Sequence, residues 1–401
     1  MSFDLDEVRG QFPALAGDTV FFDNAGGSQV PLRVAQRVAD YLVSSNVQLG
    51  ASYARSVESG ERVAEASRAL ARLVNASEAA EIVVGSSSTQ LLYNLARAIG
   101  QTLRAGDRIV VTDADHAANI GPWRSLEAAG VHIDVWKIDR DSLQLEIAAL
   151  EKLMTSRTRL VCFAHVSNVL GGIHPAAEIT RFVHERGAEV CIDGVAFAPH
   201  RRVDVRAIGA DYYVLSLYKV FGPHLGLLYA RRQHLERLPS INHDCVAADD
   251  IPYKLQPGNL NFELAWGAAG AVEYLEEIGR GTPDPIGHAF ERIAVHEEAL
   301  ASRLLDYLSR RRNTKVIGQP TDDRNLRVAT VSFTVEKRDS ASIPPHCDAH
   351  GIGIRFGDFY SRDLIDALEL GGSNGVVRVS MAHYNTIGEV DRLIGVLDEV
   401  L

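Results

Sequence analysis

The stretch TRLVCFAHVSNVLGGIHPAAEITRFVHERGAEVCIDG, residues 158–194, decides the fold. It opens on an apolar run, TRLVCFAHVS (158–167), and returns to another, AEVCIDG (188–194). Between them lies a helix-like segment, HPAAEITRFVHERG (174–187). Apolar runs of this kind, without polar alternation, are expected of strands covered on both faces. The same alternation continues outward. EIVVGSS (81–87), DRIVVTD (107–113) and VHIDVWKI (131–138) read as strands before it, ADYYVLSL (210–217) and GLLYARR (226–232) as strands after it. TQLLYNLARAIGQTL (89–103) and DSLQLEIAALEKLM (141–154) read as helices. Strand alternating with helix predicts an α/β layer structure with a mostly parallel sheet, whose ligands sit at the carboxyl ends of the strands.

Beyond this region the pattern changes. Residues 280–312 are helical and rich in charge. LRVATVSFTV (326–335), GIGIRFG (351–357) and GVVRVSM (375–381) read as strands, and TIGEVDRLIGVLDEVL (386–401) as an amphipathic closing helix. The expected organisation is a large domain over 20–265 and a smaller α+β domain over 266–401, with residues 1–19 packed on the latter. A chain of 401 residues with 46% hydrophobic and 23% charged residues has the composition of a globular protein with an ample core. Its net charge of −11 argues against a nucleic-acid partner, which needs clustered Lys and Arg. No apolar run is long enough to span a bilayer. The acidic start MSFDLDEVRGQF lacks the apolar centre of a signal peptide, so the expected location is cytoplasmic. The four cysteines form no C-x-x-C pair, which disfavours zinc and dithiol chemistry.

Five polar segments follow apolar runs and therefore converge on one sheet edge. In VLSLYKVFGPHLGLLYAR (214–231), Lys219 stands just past a buried strand. It is either an exposed turn lysine or a desolvated amine fit for a Schiff base with an aldehyde cofactor. In AEVCIDGVAFAPH (188–200), Asp193 ends a buried strand. It either caps a turn or pairs with a buried cation such as a protonated pyridine nitrogen. In FAHVSNVLGG (163–172), Asn168 either closes an Asx turn or bonds a ring hydroxyl. In VTDADHAANIGPW (111–123), His116 is either a capping residue or a group that stacks on a planar ring. In VVGSSSTQLL (83–92), Ser87, Ser88 and Thr89 open a helix, either as plain caps or as a phosphate site.

In their order, these segments resemble the class-V aminotransferases of pyridoxal 5'-phosphate (PLP) fold type I, and most closely their cysteine desulfurase and selenocysteine lyase branch. FFDNAGGSQVP (21–31) resembles the opening segment of that branch. DHAANIGPW (115–123), HVSNVLGG (165–172), IDG (192–194) and SLYKVFGPHLG (216–226) follow in the family's order, and RVSMAHYNTIGEVDRL (378–393) matches its closing motif. The resemblance implies a PLP enzyme acting at the α-carbon of an amino acid. Lys219 would carry the cofactor, Asp193 would meet its pyridine nitrogen, His116 would stack on its ring and Asn168 would touch its hydroxyl. Ser216 and Tyr218, with the hydroxyls of 86–89, would hold its phosphate. Arg378 would clamp the substrate carboxylate, with Arg355 and Asn24 nearby. Asn259 in QPGNLNF (256–262) would reach the phosphate of a neighbouring subunit, which implies a homodimer with shared active sites.

Three positions depart from the desulfurase pattern. Tyr360 stands in GIGIRFGDFYSRD (351–363) at about the place of the loop cysteine. Tyr218 replaces a histidine before the lysine, and Ala196 replaces a glutamine. A thiolate is needed to take sulfur from a substrate. The expected activity is therefore a C–S or C–Se lyase or a transaminase rather than a true desulfurase. A PLP-dependent epimerase and a non-catalytic binding or regulatory descendant are the alternatives. A nucleotide-dependent oxidoreductase is disfavoured, since no G-x-G-x-x-G follows the first strand.

Overall fold

A computed structural model of the chain describes residues 4–401. A seven-stranded sheet forms its centre. The strand order is Ile82–Gly85, Gly226–Ala230, Tyr212–Ser216, Glu189–Asp193, Thr158–Ala164, Arg108–Thr112, His132–Trp136. The strands run parallel except Gly226–Ala230, which is antiparallel to both neighbours. Successive side chains of a strand point to opposite faces. Val110, Val161, Val190, Ile192, Tyr213 and Leu227 accordingly join one core cluster. Ile109, Val111, Leu160, Cys162, Cys191, Val214 and Leu228 join another on the other face. Helix Ser88–Gly100 covers the second face with Leu91, Leu92 and Leu95. Helices Ala54–Val74, Ala176–His184 and Phe262–Ile278 contribute to the first.

The strand over 131–138 differs from the expectation of two-sided burial. His132 is exposed and Ile133, Asp134 and Val135 are half-buried, because this strand forms the sheet edge. The helix expected over 141–154 is shorter, Ile147–Leu153. Leu143 there has a left-handed backbone, and Asp139 Oδ1 accepts from the amides of Asp141 and Ser142, so a turn takes the first half.

A four-stranded antiparallel sheet, ordered Arg355–Gly357, Val376–Ser380, Thr330–Val335, Thr314–Ile317, anchors a second core. The segment 351–357, expected as one strand, is divided. Ile352–Gly353 pairs in parallel with Val20–Phe21, whereas Arg355–Gly357 joins the four-stranded sheet. Helix Pro285–Ser309 spans both cores, with Ile286, Phe290 and Ile293 in the large one and Leu300, Leu304 and Leu308 in the small one. Helix Phe262–Ile278 crosses the boundary expected at 265, and its Ala265, Ala268 and Leu275 all lie in the large core. The expectation for 1–19 falls partly on residues 1–3, outside the described residues. From residue 4 on, Val8, Phe12 and Leu15 join the large core, while Arg9 forms an ion pair with Glu389 of the closing helix. Among the described residues no helix is long and apolar enough to cross a membrane.

One glycine sets the position of the first helix over the sheet. A Cβ on Gly226 would lie 2.4 Å from the carbonyl carbon of Ser87 and 2.7 Å from the amide of Ser88. Backbone meets backbone there, and neither side can yield by a rotamer change. Gly226→Ala is expected to cost about 1–3 kcal/mol, as overpacking does. A urea midpoint shift reads this directly.

Candidate active site

Four parallel strands end at one edge, and the segments that follow them build the site. The turn after Arg108–Thr112 delivers Asp115 and His116. The turn after Thr158–Ala164 delivers Asn168. Asp193 closes its own strand, and Lys219 lies in a single 3-10 turn after Ser216. Lys219, Asp193, His116, Asn168, Ser216, Tyr218, Ser88, Thr89 and Ala196 line one cavity. The sequence reading of these residues as one group is therefore realised in space.

Their electrostatics follow from burial. Lys219 is 9% exposed. Desolvation, with the nearby Arg378 charge, brings its amine down to about 8, against the opposing pull of Asp193 and Asp23. Asp193 is buried too, and desolvation raises its carboxyl against a bond from the Val195 amide and the field of Lys219. His116 is pushed down to about 4 by burial and by the cations Lys219 and Arg378, so it is neutral at pH 7. Its Nδ1 accepts from the Ala118 amide at 3.0 Å, which places the ring proton on Nε2. The Ser216 hydroxyl donates to Ser88 Oγ at 2.9 Å, bringing the lysine strand to the first turn of helix Ser88–Gly100. Tyr218 stacks on His224 with ring centroids 4.9 Å apart.

Other expected residues stand apart from this cavity. Ser87 caps helix Ser88–Gly100 by accepting from the Gln90 amide. Asn259 lines a separate cleft with Ser86, Gln90 and His224, and its amide bonds Gln48. Asn24 is held behind the site. Its Nδ2 donates to Phe21 O, Ser380 O and Asn385 Oδ1, and its Oδ1 accepts from the Tyr384 hydroxyl. The structure thus gives Asn24 a tethering place rather than a free amide for substrate. Arg378 and Arg355 lie beside the cavity and share the carboxylate of Asp23. Tyr360 is 73% exposed, and its ring centroid lies 5.5 Å from that of His116. Asn168 is committed to this loop. Its Nδ2 donates to Phe359 O at 3.0 Å and its Oδ1 accepts from the Ser361 hydroxyl at 2.8 Å. One hydrogen of its Nδ2 remains for the cavity.

The sequence of residues 20–393 matches the family model of the class-V aminotransferases. The chain belongs to that family. Class-V aminotransferases depend on PLP, and this chain is an enzyme of their cysteine desulfurase-like group. It is 40% identical to the aminotransferase-like protein FGM3 of Gibberella zeae, over 100% of this chain and 99% of that one. It is 34% identical to the cysteine desulfurase-like protein ustD of Aspergillus flavus, over 99% of this chain and 91% of that one. The cysteine desulfurase CsdA from Escherichia coli superposes with a TM-score of 0.86 at 26% identity, over 100% of this chain and 98% of that chain. The fold type I architecture expected from the sequence is thereby shown.

Two site residues escaped the sequence reading. Asp23 is the first. The second is Asp115, which is fully buried and accepts from Thr112 Oγ1, the Ala164 amide and Asn119 Nδ2. Its place between the strand end and His116 was the available signal. Burial raises its carboxyl to about 7. In the folded protein it therefore holds a proton that the unfolded chain releases near pH 4. Its stabilising share is present below pH 4 and is lost as pH rises toward 7. Asp115→Asn removes this dependence, and the buried, unpartnered Asn119 carbonyl can turn to accept from the introduced amide. Urea midpoints between pH 5 and 8 should then decline less for the variant than for wild type.

Proposed function

We propose that this class-V enzyme binds PLP on Lys219 and acts on an amino acid as a C–S or C–Se lyase or a transaminase. The observation that carries the reading is the buried amine of Lys219 facing the same cavity as the buried carboxylate of Asp193. The donor set fits the cofactor. A lysine near pH 8 holds enough neutral amine to attach an aldehyde. Asp193 supplies the buried negative charge that a protonated ring nitrogen requires. Ser88, Thr89 and Ser216, at a helix N-terminus with free amides, suit a phosphate.

When bound, PLP supplies an electron sink for charge developing at the substrate α-carbon. The protein does the rest. Asp193 would keep a bound ring nitrogen protonated. His116, neutral, offers its ring face and an Nε2 proton without adding charge. Lys219 Nζ takes the proton from the α-carbon and returns it, since an amine with a pKa near 8 both accepts and gives up a proton near neutral pH. Arg378 anchors the substrate carboxylate, so that the amine lies within reach of the lysine.

Sulfur transfer through a cysteine on the 358–361 loop is disfavoured. Tyr360 occupies the loop. Cys162 is buried with its thiol pushed well up, and Cys347 is buried in the small core with its thiol raised to about 11. Sulfur or selenium would leave as a small product. A homodimer with shared active sites is part of the proposal, supported by the exposed Val43, Tyr53 and Val57 and by Asn259 in an open cleft beside the helix that carries Ser88.

Wild type incubated with PLP is expected to hold a visible absorption band that survives dialysis, and Lys219→Ala to lose it. Equal retention by both proteins would overturn the assignment. A panel of amino acids assayed for pyruvate, ammonia and keto-acid release separates lyase from transaminase. Silence across the panel with PLP held would favour a non-catalytic binding protein. Across pH, attachment of PLP is expected to quicken as pH rises toward about 8 and then level off, because the neutral amine is the attacking form.

A further inference from the structure

Arg355 and Arg378 are direct partners across the antiparallel strands Arg355–Gly357 and Val376–Ser380. Like charges placed opposite one another destabilise a sheet unless an anion lies between them. Asp23 is that anion. Its Oδ1 accepts from Arg378 Nη2 at 3.1 Å and its Oδ2 pairs with Arg355 Nη2 at 2.7 Å. The backbone holds it there. Asp23 bridges Ser380, while Val20–Phe21 pairs with Ile352–Gly353, so Asp23 enters between the ends of both arginine-bearing segments. Gly26 folds back over the carboxylate, where an added Cβ would stand 3.0 Å from Oδ2.

The Arg378 guanidinium is 3% exposed, and its donors can be accounted for singly. Nη1 donates to the carbonyl of Asn168 at 3.2 Å. One hydrogen of Nη2 goes to Asp23. The Phe359 ring covers one face at 3.7 Å. Nε is buried and has no partner. A buried donor without an acceptor is costly to leave so. Three N–H donors remain, one on each nitrogen. Those of Nε and Nη2 lie on one edge of the fork, the shape that binds a carboxylate through two parallel bonds.

The geometry points to Asp23 as the positioning residue of the substrate-carboxylate site: by holding Nη2 it fixes the Arg378 guanidinium with its Nε–Nη2 edge free to receive the carboxylate, and its other oxygen holds Arg355. The inference rests on the reading that Arg378 receives the substrate carboxylate. It assigns a task to Asp23 that charge alone does not predict. Removing a carboxylate from between two arginines makes the cluster more positive, which by itself strengthens anion binding. A positioning role demands the opposite result.

The test uses cofactor-free, 15N-labelled protein and acetate as the carboxylate probe. The Nε–H resonance of Arg378 is assigned by its loss in Arg378→Lys. In wild type, acetate is expected to shift this resonance saturably. In Asp23→Asn the affinity should fall by about tenfold or more, and in Asp23→Glu it should return to within about threefold of wild type. Unchanged or tighter acetate binding in Asp23→Asn would overturn the inference, and so would a wild-type resonance that does not respond. Should Asp23→Asn fail to fold, Asp23→Ser makes the same comparison with a smaller uncharged group. If acetate binds as expected while Lys219 holds no PLP, the functional reading fails and the role of Asp23 stands.

Discussion

A lysine amine taken out of water at the end of a buried strand governs the rest of the site. Moving its pKa from 10.5 to about 8 corresponds to a penalty of about 3 kcal/mol on the charged form. Two fields act in opposite directions on the remainder. Arg378 disfavours a second positive charge, while Asp193 and Asp23 favour one. Burial wins, and the amine sits where it is part neutral at ordinary pH. The same two cations act on His116, which loses its charge altogether. Asp193 is the counterpart. It too is desolvated, and its raised carboxyl needs a cation to stay ionised. Lysine and aspartate in one cavity thus leave an electrostatic demand that a ring with a protonated nitrogen and an aldehyde meets at both ends.

The loop over 358–361 closes this arrangement from the small sheet. Phe359 and Tyr360 both adopt left-handed backbone, at φ 53° and 59°. Such conformations cost non-glycine residues about 1–3 kcal/mol each and persist only where the surroundings impose them. Here they do so from three directions. Asn168 holds the Phe359 carbonyl, the Ala117 amide donates to the Tyr360 carbonyl at 2.7 Å, and Arg378 lies against the Phe359 ring. The turn that bears His116, the turn that bears Asn168 and the strand that bears Arg378 therefore converge on one tripeptide. The residue at its tip, Tyr360, presents an aromatic ring to His116.

Much of the architecture could be read from apolar runs, because strands covered on both faces carry little polar interruption. VCFA, VCID and YYVLS each became a strand, and the residues just past them became the cavity. What the runs could not convey was the edge of the sheet. VHIDVW carries His132 and Asp134 between its apolar residues, and no described strand pairs beyond it, so His132 is exposed and residues 133–135 are half-buried. Nor could they place Leu143, whose left-handed turn follows the Asp139 carboxylate cap and delays the start of the helix to Ile147. Asn24 was misplaced for a related reason. An amide in a Gly-rich segment looks free in sequence, but the carbonyls of nearby Phe21 and distant Ser380 and the side chain of distant Asn385 take its donors. Asp23 and Asp115 went unread because a buried carboxylate is defined by what surrounds it. Those surroundings come from residues more than 300 positions away for Asp23, and from Ala164, 49 positions on, for Asp115.

The Asp23 bridge also bears on how the two cores stay registered. Arg355 and Arg378 belong to the small sheet, while Asn168 and Phe221 belong to the large domain. Asp23 and Asn24 are consecutive and face different partners. Asp23 ties the two arginines, and Asn24 ties Ser380 and Asn385. Two residues further on, Gly26 and Gly27 let the chain turn tightly enough for Ser28 to bond the carbonyl of Tyr218, beside Lys219. One hexapeptide, Asp23 to Ser28, thus runs from Arg378 to the residue beside Lys219. A shift of the small sheet would be transmitted along it to Tyr218 with little slack, since its polar side chains at both ends are bonded. This strap acts alongside the bonds of Asn168 to Arg378 and Phe359, which tie the same two regions.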